Sequence, residues 1–279
     1  RRYNACMPEL PEVETLRRGL LSLEGDTLQR VECCRTSMMP NPERLDQIRG
    51  HEVIRLSRHG KHLLFLFRPG TVLDVHLGMS GHLGWHPSRH VRLTLHWSAS
   101  PPLYVNDPRT WGRLRIWSDI NLATARLGPD ALCEPHLLET ALRKKSSRSI
   151  KTILLDQSVL AGLGNIYTDE ALLLGGIHPA RQLSSISAAE RHKLVEAISE
   201  VLRQGLQHGG TTLRDYRNPE GQQGRNQDTL RVYGRTGQPC PFCGHPIQKI
   251  TLSGRGTHFC AHCQPFASDH KTHLTAADI

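Results

Sequence analysis

Four cysteines near the end of the chain, Cys240, Cys243, Cys260 and Cys263, follow the spacing C-x2-C-x16-C-x2-C. A pair spaced in this way forms a tight knuckle with both thiolates aimed at one point, and the intervening residues suffice for a hairpin that brings the pairs together. One tetrahedral zinc ion is the expected occupant. Four thiolates leave no open coordination position, so the ion is expected to hold the fold and reactive groups must be sought elsewhere. Paired spacing of this kind, in the reducing interior of a cell, points to metal rather than to a disulfide framework.

A second group stands near the start. The run PELPEVE (8–14) packs two prolines and three glutamates into seven residues of a chain whose formal net charge is +9. It reads either as a solvated helix start, where acidic residues suit the positive end of the dipole, or as chemistry. A third candidate is GLGNIYTDE (162–170), where two glycines and Asn165 precede a helical run. Backbone N–H groups of such a turn, with the Asn165 amide, could hold a phosphate at a helix N-terminus, and Lys151 upstream offers a second contact. A plain glycine turn between two helices would look the same.

The charge balance, 35 Lys and Arg against 26 Asp and Glu, implies a polyanionic partner such as nucleic acid. Arginines outnumber lysines 28 to 7, which suits bidentate phosphate contacts and equally suits GC-rich codon usage. Arg225, Arg231, Arg235, Lys249 and Arg255 surround the cysteines with one acid, Asp228, among them. The hairpin thus reads as a nucleic-acid finger with Arg255 of GRGT (254–257) at its tip, or as a solvated basic turn. His245, His258 and His262 are expected at the surface or facing the nucleic acid, because the thiolates already close the metal site.

The positioning elements follow from periodicity. Val13, Leu16, Leu20 and Leu23 recur at helical spacing from Glu12, with Gly25 as a stop signal. Short strands follow between about 28 and 118, among them HLLFLF (62–67), VLDVHL (72–77), VRLTLHW (91–97) and RLRIW (113–117), and predict a β-sandwich or barrel. Apolar runs stay far below the roughly 18 residues of a membrane span, and no secretory leader is seen, so an intracellular, cytoplasmic protein without a membrane partner is expected. Beyond residue 135 the chain reads as helical. Ser187 and Glu190 form a capping box ahead of a helix that Gly209–Gly210 should end. The stretch 215–228, DYRNPEGQQGRNQD, has almost no apolar content and reads as a mobile loop, and the tail after 264 as disordered.

Taken together, MPELPEVETLRRGL (7–20), SRHGKHLLF (57–65), HLGMSG (76–81), NDPRTWG (106–112), LLDQSVLAGLGNIYTDEALLLGGIHPAR (154–181), VYGRTGQPCPFCG and GRGTHFCAHCQ closely resemble the formamidopyrimidine-DNA glycosylases, which excise oxidised purines from DNA. The resemblance implies an α+β chain in several parts. A catalytic β-sandwich with a short N-terminal helix spans 7–134, a helix-two-turns-helix domain 135–224 and a zinc finger 225–264; residues 265–279 form a tail and 1–6 an upstream extension. It also implies that Pro8 is the nucleophile, Glu9 the general acid and base, and Glu12 a supporting carboxylate. Lys61, Asn165 and Arg255 would grip phosphates, with Lys61 and Arg255 serving catalysis directly. Met79 and Arg109 would fill the space left by an extruded base, Arg109 also reading the opposite cytosine. Trp111 stands where the family usually has phenylalanine as a wedge. The segment 215–228 corresponds to a loop that closes over the lesion. The implied partner is duplex DNA with an oxidised purine opposite cytosine, bound by a monomer.

Two other readings stand beside this one. The endonuclease VIII branch, which removes oxidised pyrimidines, shares the fold, although its opening usually carries glycine where this chain has Leu10. A non-catalytic damage binder follows if Met7 stays attached, because an internal Pro8 nitrogen is a tertiary amide with no basic lone pair.

Overall fold

A computed structural model describes residues 7–33, 38–39, 41–143 and 145–266; the expected extension 1–6 and tail residues 267–279 lie outside the described residues. The acidic run opens helix α1, Leu10–Gly19, with proline in its first turn, where a missing N–H costs nothing. Glu12 sits at the positive end of the helix and Arg17 and Arg18 at the negative end. The expected helix is longer than the observed one. At Leu20 the N–H bonds the Arg17 carbonyl, and Leu21–Leu23 continue as a 3-10 turn that still buries Leu20 and Leu23.

Strands β1 (Leu28–Cys33), β2 (Val53–His59), β3 (His62–Phe67), β4 (Val72–His76), β5 (His82–Gly84), β6 (Val91–Trp97), β7 (Leu103–Asn106) and β8 (Arg113–Trp117) form two antiparallel sheets. Their orders are β1-β6-β7-β5 and β2-β3-β4-β8. The largely buried run HLLFLF becomes β3, and Phe65 on it stacks against Trp97 of the other sheet with ring centroids 6.3 Å apart. Burying two aromatic rings between sheets is the expected cement of a sandwich.

Helices α2 (Ile120–Thr124), α3 (Pro135–Ala141), α4 (Ile150–Leu154), α5 (Asn165–Leu174) and α6 (Ala188–Gln207) follow. The capping box at the start of α6 is present, with Ser187 Oγ accepting from Glu190 N and Glu190 Oε2 accepting from Ser187 N. A hairpin of β9 (Gln248–Leu252) and β10 (Arg255–Phe259) completes the chain around a small core of Leu173, Val232, Ile247, Cys240 and Cys260.

Two junctions set the relation of these parts. On α1, Val13 and Leu16 join the sandwich core while Leu10 joins the helical core, so the helix belongs to both. On α5, two successive acids tie down the finger. Glu170 accepts the backbone N–H groups of Arg231, Val232 and Tyr233, each at 2.9 Å. Asp169 accepts from His258 N at 2.9 Å and from Lys151 Nζ at 2.6 Å. A single helix therefore links the glycine turn at its start to the finger along its side.

Candidate active site and nucleic-acid interface

The first turn of α5 leaves N–H groups without helical partners, and in this fold a carboxylate from the start of α1 takes them. Glu9 Oε2 accepts from Gly164 N at 2.7 Å and from Tyr167 N at 3.4 Å, and Oε1 accepts from Ile166 N at 2.9 Å. The approach demands glycine: a Cβ at residue 164 would lie 2.4 Å from Glu9 Cδ. Burial pushes the Glu9 carboxyl above its ordinary range, against the pull of the Lys61 charge and the three amides. The amides expected to cradle a phosphate are thus occupied by Glu9. This corrects the reading of GLGN as a backbone phosphate site, because a buried carboxylate needs those donors more than a solvated ligand does.

Glu12 lies one helical turn on and is equally enclosed. Its Oε2 accepts from Glu9 N at 2.8 Å, and its Oε1 accepts from Tyr167 Oη at 2.7 Å and Thr211 N at 2.6 Å. Burial, followed by the negative charge of Glu9, raises its carboxyl to about 7. Glu12 thereby connects α1, α5 and the segment after α6. Pro8, buried, lines a small recess with Met7, Ile166, Thr211, Leu213 and Tyr216.

Lys61 occupies the two-residue turn between β2 and β3 and is buried. That turn is clamped from the start of the helical region: Asp130 accepts from Gly60 N at 2.7 Å and pairs with Arg58 at 2.5 Å, and His59 Nε2 is 2.8 Å from Gly128 O. His76 on β4 stands near by, with its ring 4.9 Å from that of His62. Burial, then the neighbouring His62 and Lys61, lowers His76 to about 4, so it is neutral at pH 7.

Met79, Arg109 and Trp111 come from two separate turns, which Asp107 gathers. Its fully buried carboxylate accepts from Ser80 Oγ at 2.5 Å, Arg109 N at 3.2 Å and Gly112 N at 2.8 Å. Gly78, at φ +61°, lets its turn touch the other: a Cβ there would meet Trp111 O at 2.5 Å. Thr110 carries φ +54°, an uncommon setting for a β-branched residue and a sign of a constrained turn. Trp111 is 51% exposed, with the Arg109 guanidinium 5.0 Å from its ring centroid.

Asn165 and Arg255 meet at the finger. Asn165 Nδ2 donates to Gly256 O at 2.8 Å, while its Oδ1 is enclosed without a hydrogen-bond partner among the described residues. Arg255 follows the Ser253–Gly254 turn and is exposed, as its place at the hairpin tip requires. Lys151 differs from expectation. Its ammonium is enclosed, held by Asp169 and 3.4 Å from Gly256 O, so in this state it braces the finger and offers no surface to a phosphate. His258 also departs from its surface assignment, being buried with Nδ1 3.1 Å from Asp169 Oδ2. His245 and His262 are exposed and stack at 4.3 Å.

In the finger, Cys240 Sγ lies 3.8 Å from Cys263 Sγ and Cys243 Sγ 3.4 Å from Cys260 Sγ, all four sulfurs falling within 4.8 Å of one another. A tetrahedral ion with arms of about 2.3 Å places sulfurs about 3.8 Å apart, so the donor set and its spacing fit zinc.

The segment read as a mobile loop has defined partners. Trp85 N donates to Pro219 O at 3.1 Å, Asn226 N to Gly210 O at 3.1 Å and Gly224 N to Thr212 Oγ1 at 2.9 Å.

Comparison with known proteins fits this architecture part by part. The model of the formamidopyrimidine-DNA glycosylase N-terminal domain matches residues 7–114, that of the family's H2TH domain residues 127–217, and that of the zinc finger found in FPG and IleRS residues 237–265. A formamidopyrimidine-DNA glycosylase of Thermus thermophilus is 41% identical over 268 residues, covering 92% of this chain and 98% of that one. The chain belongs to the formamidopyrimidine-DNA glycosylase family. The crystal structure of MutM (Fpg) from Thermus thermophilus superposes with a TM-score of 0.84 at 40% identity, covering 92% of this chain and 98% of that one. The Lactococcus lactis Fpg in complex with DNA containing an abasic site gives 0.83 at 36% identity, covering 92% and 99%. Among the described residues of this DNA glycosylase, no helix is long and apolar enough to cross a membrane.

Asp107, Asp130, Asp169 and Glu170 escaped the sequence reading, although NDPRTWG and YTDE carried three of them in plain view. The signal was an acid beside an assigned cation or turn; what it lacked was the partner, 18 residues away for Asp169 and Lys151 and 70 for Asp130 and Gly60.

Two outcomes are expected. Gly164→Ala, by driving the Glu9 carboxylate from its amides, should slow lesion excision on the order of 100-fold while leaving zinc content unchanged; excision within a few-fold of wild type under single-turnover conditions would contradict this geometry. For Glu12, the folded protein keeps a proton up to about pH 7 that the unfolded chain releases near 4.5. The stability from that protonation is complete below 4.5 and lost as pH rises through 7. Melting temperature should therefore fall across that window in wild type and less in Glu12→Gln.

Proposed function

We propose that this chain removes oxidised purines, 8-oxoguanine and formamidopyrimidines, from duplex DNA through a Schiff base on Pro8 and then cleaves the strand at the abasic site. The observation that carries the proposal is the position of Pro8: buried at the junction of α1, α5 and the 211–216 segment, directly before the amide-held Glu9. The chemistry requires that the bond to Met7 be cut. Freed of Met7, Pro8 is a secondary amine with a pKa of about 8, partly neutral at pH 7.

Its lone pair attacks C1′ of the damaged nucleotide while the glycosidic bond breaks and the base departs with a proton. Loss of the N–H proton and opening of the sugar ring leave an iminium. That cation acidifies C2′–H, so β-elimination expels the 3′ phosphate and a following δ-elimination the 5′ phosphate. Glu9, with its carboxyl raised by burial, is suited to carry protons between the sugar ring oxygen and the leaving base. Glu12 holds Glu9 in register through its backbone N–H. Lys61, anchored by the Asp130-clamped turn, and Arg255, at the finger tip, are assigned to phosphates flanking the everted nucleotide. Asn165 joins them when its amide turns from Gly256. Met79, Arg109 and Trp111 fill the vacated stack, offsetting an unstacking cost of a few kcal/mol. Zinc on Cys240, Cys243, Cys260 and Cys263 fixes the hairpin that presents Arg255. The protein acts as a monomer in the bacterial cytoplasm.

The relatives' DNA complexes support the substrate class: one Lactococcus lactis structure holds Fapy-dG DNA and another an abasic site. The test is borohydride trapping. Protein beginning at Pro8 should form a covalent adduct with a duplex carrying 8-oxoguanine opposite cytosine, and Pro8→Gly should largely abolish it. Tight binding without an adduct would favour a non-catalytic binder, and a marked preference for oxidised pyrimidines the endonuclease VIII branch.

A further inference from the structure

Two exposed histidines of the finger stand together beside a thiolate. His245 follows Cys243 by two residues, and His262 lies between Cys260 and Cys263. Each knuckle is closed by its own backbone. Cys240 N donates to His245 O at 2.8 Å and Gly244 N, at φ +75°, to Cys240 O at 2.9 Å, while Gln264 N donates to Cys260 O at 2.9 Å. The convergence that gathers the sulfurs therefore also brings the two imidazoles face to face, with ring centroids 4.3 Å apart and planes 7° from parallel. A nitrogen of each ring and Cys243 Sγ all lie within 4.8 Å of one another. Cys240 and Cys260 are buried, whereas Cys243 is half-buried and so faces the histidines from the edge of the sulfur cluster.

We propose that His245, His262 and the thiolate of Cys243 form a second metal site, open to solvent, for a divalent cation of the zinc class. The proposal rests on the reading that zinc occupies the four thiolates. Four thiolates around one Zn2+ leave a net double negative charge, which attracts a further cation to the edge of the cluster. A thiolate sulfur bound to one ion keeps lone pairs and can bridge to a second. Imidazole nitrogen and thiolate sulfur suit Zn2+, Co2+ and Cu2+, and not Mg2+ or Ca2+, which take oxygen. Arms of about 2.0 Å to nitrogen and about 2.3 Å to sulfur place such donors roughly 3.3–3.8 Å apart. The exposed rings reach that spacing by turning out of their stack, each aiming one nitrogen at a common point. Three protein donors leave a position for water, so the ion held here exchanges where the ion inside the four thiolates does not. Breaking the stack and sharing a sulfur both cost affinity, and the second ion accordingly binds more weakly than the first.

The test titrates the full chain, carrying its zinc, with Co2+ and follows both the thiolate-to-cobalt charge-transfer absorption and the zinc set free. In wild type the absorption should grow to saturation while the zinc stays bound. His245→Ala and His262→Ala should each raise the cobalt concentration needed by about 10-fold to 100-fold, with zinc content and melting temperature unchanged. The proposal fails if no charge-transfer absorption develops, or if it develops only in step with zinc release, which marks cobalt entering the four-thiolate site. It fails equally if both histidine variants take up cobalt as wild type does, or if they lose the original zinc, which would make the histidines ligands of the first ion. If the purified chain carries no zinc at all, the reading of the four thiolates fails instead.

Discussion

A carboxylate closed off from water must be met by donors, and Glu9 finds them in the first turn of a helix 155 residues further along the chain. Much of the structure follows from that need. The amides of Gly164, Ile166 and Tyr167 belong to the helical region, whereas Glu9 leads the helix whose other face completes the sandwich. The two regions therefore meet at Glu9 and Glu12. Residue 164 has to be glycine for the approach, Tyr167 reaches back to Glu12, and Glu12 carries the connection on to Thr211. Several weak constraints converge on one small volume, and Pro8 precedes them directly.

The same helix then organises the finger. Its first residue, Asn165, meets the finger backbone at Gly256, Asp169 grips Lys151 and His258, and Glu170 receives three successive amides of the linker. The four cysteines gather the two ends of the hairpin, but these acids decide where it points. After β7 Asp107 does the corresponding work for Met79, Arg109 and Trp111. In each case a buried acid supplies acceptors to backbone N–H groups and so fixes an exposed side chain at one remove.

This explains what could be read from the chain and what could not. The strands HLLFLF, VRLTLHW and RLRIW carry their own pattern, and β3, β6 and β8 begin and end with them. The capping box at Ser187 and Glu190 is a local motif and was legible for the same reason. The cysteine spacing announced a metal site because each knuckle is local. Long-range satisfaction of buried charge has no such signature. Nothing in PELPEVE says that Glu9 will take the amides of Gly164, Ile166 and Tyr167, so GLGNIYTDE read as a phosphate cradle. Lys151 read as an available cation because Asp169, eighteen residues on, could not be recognised as its partner. The loop 215–228 read as mobile because its composition is polar, and composition does not register the bonds at Pro219 and Asn226, made between backbone groups, or the one from Gly224 N to the Thr212 hydroxyl.

In the proposed reaction the nitrogen of Pro8, and no lysine, attacks the sugar. Peptide mapping by mass spectrometry after borohydride reduction and nuclease digestion tests it directly. The deoxyribose remnant is expected on the N-terminal peptide at Pro8. A remnant on Lys61, Lys151 or any other lysine would contradict it.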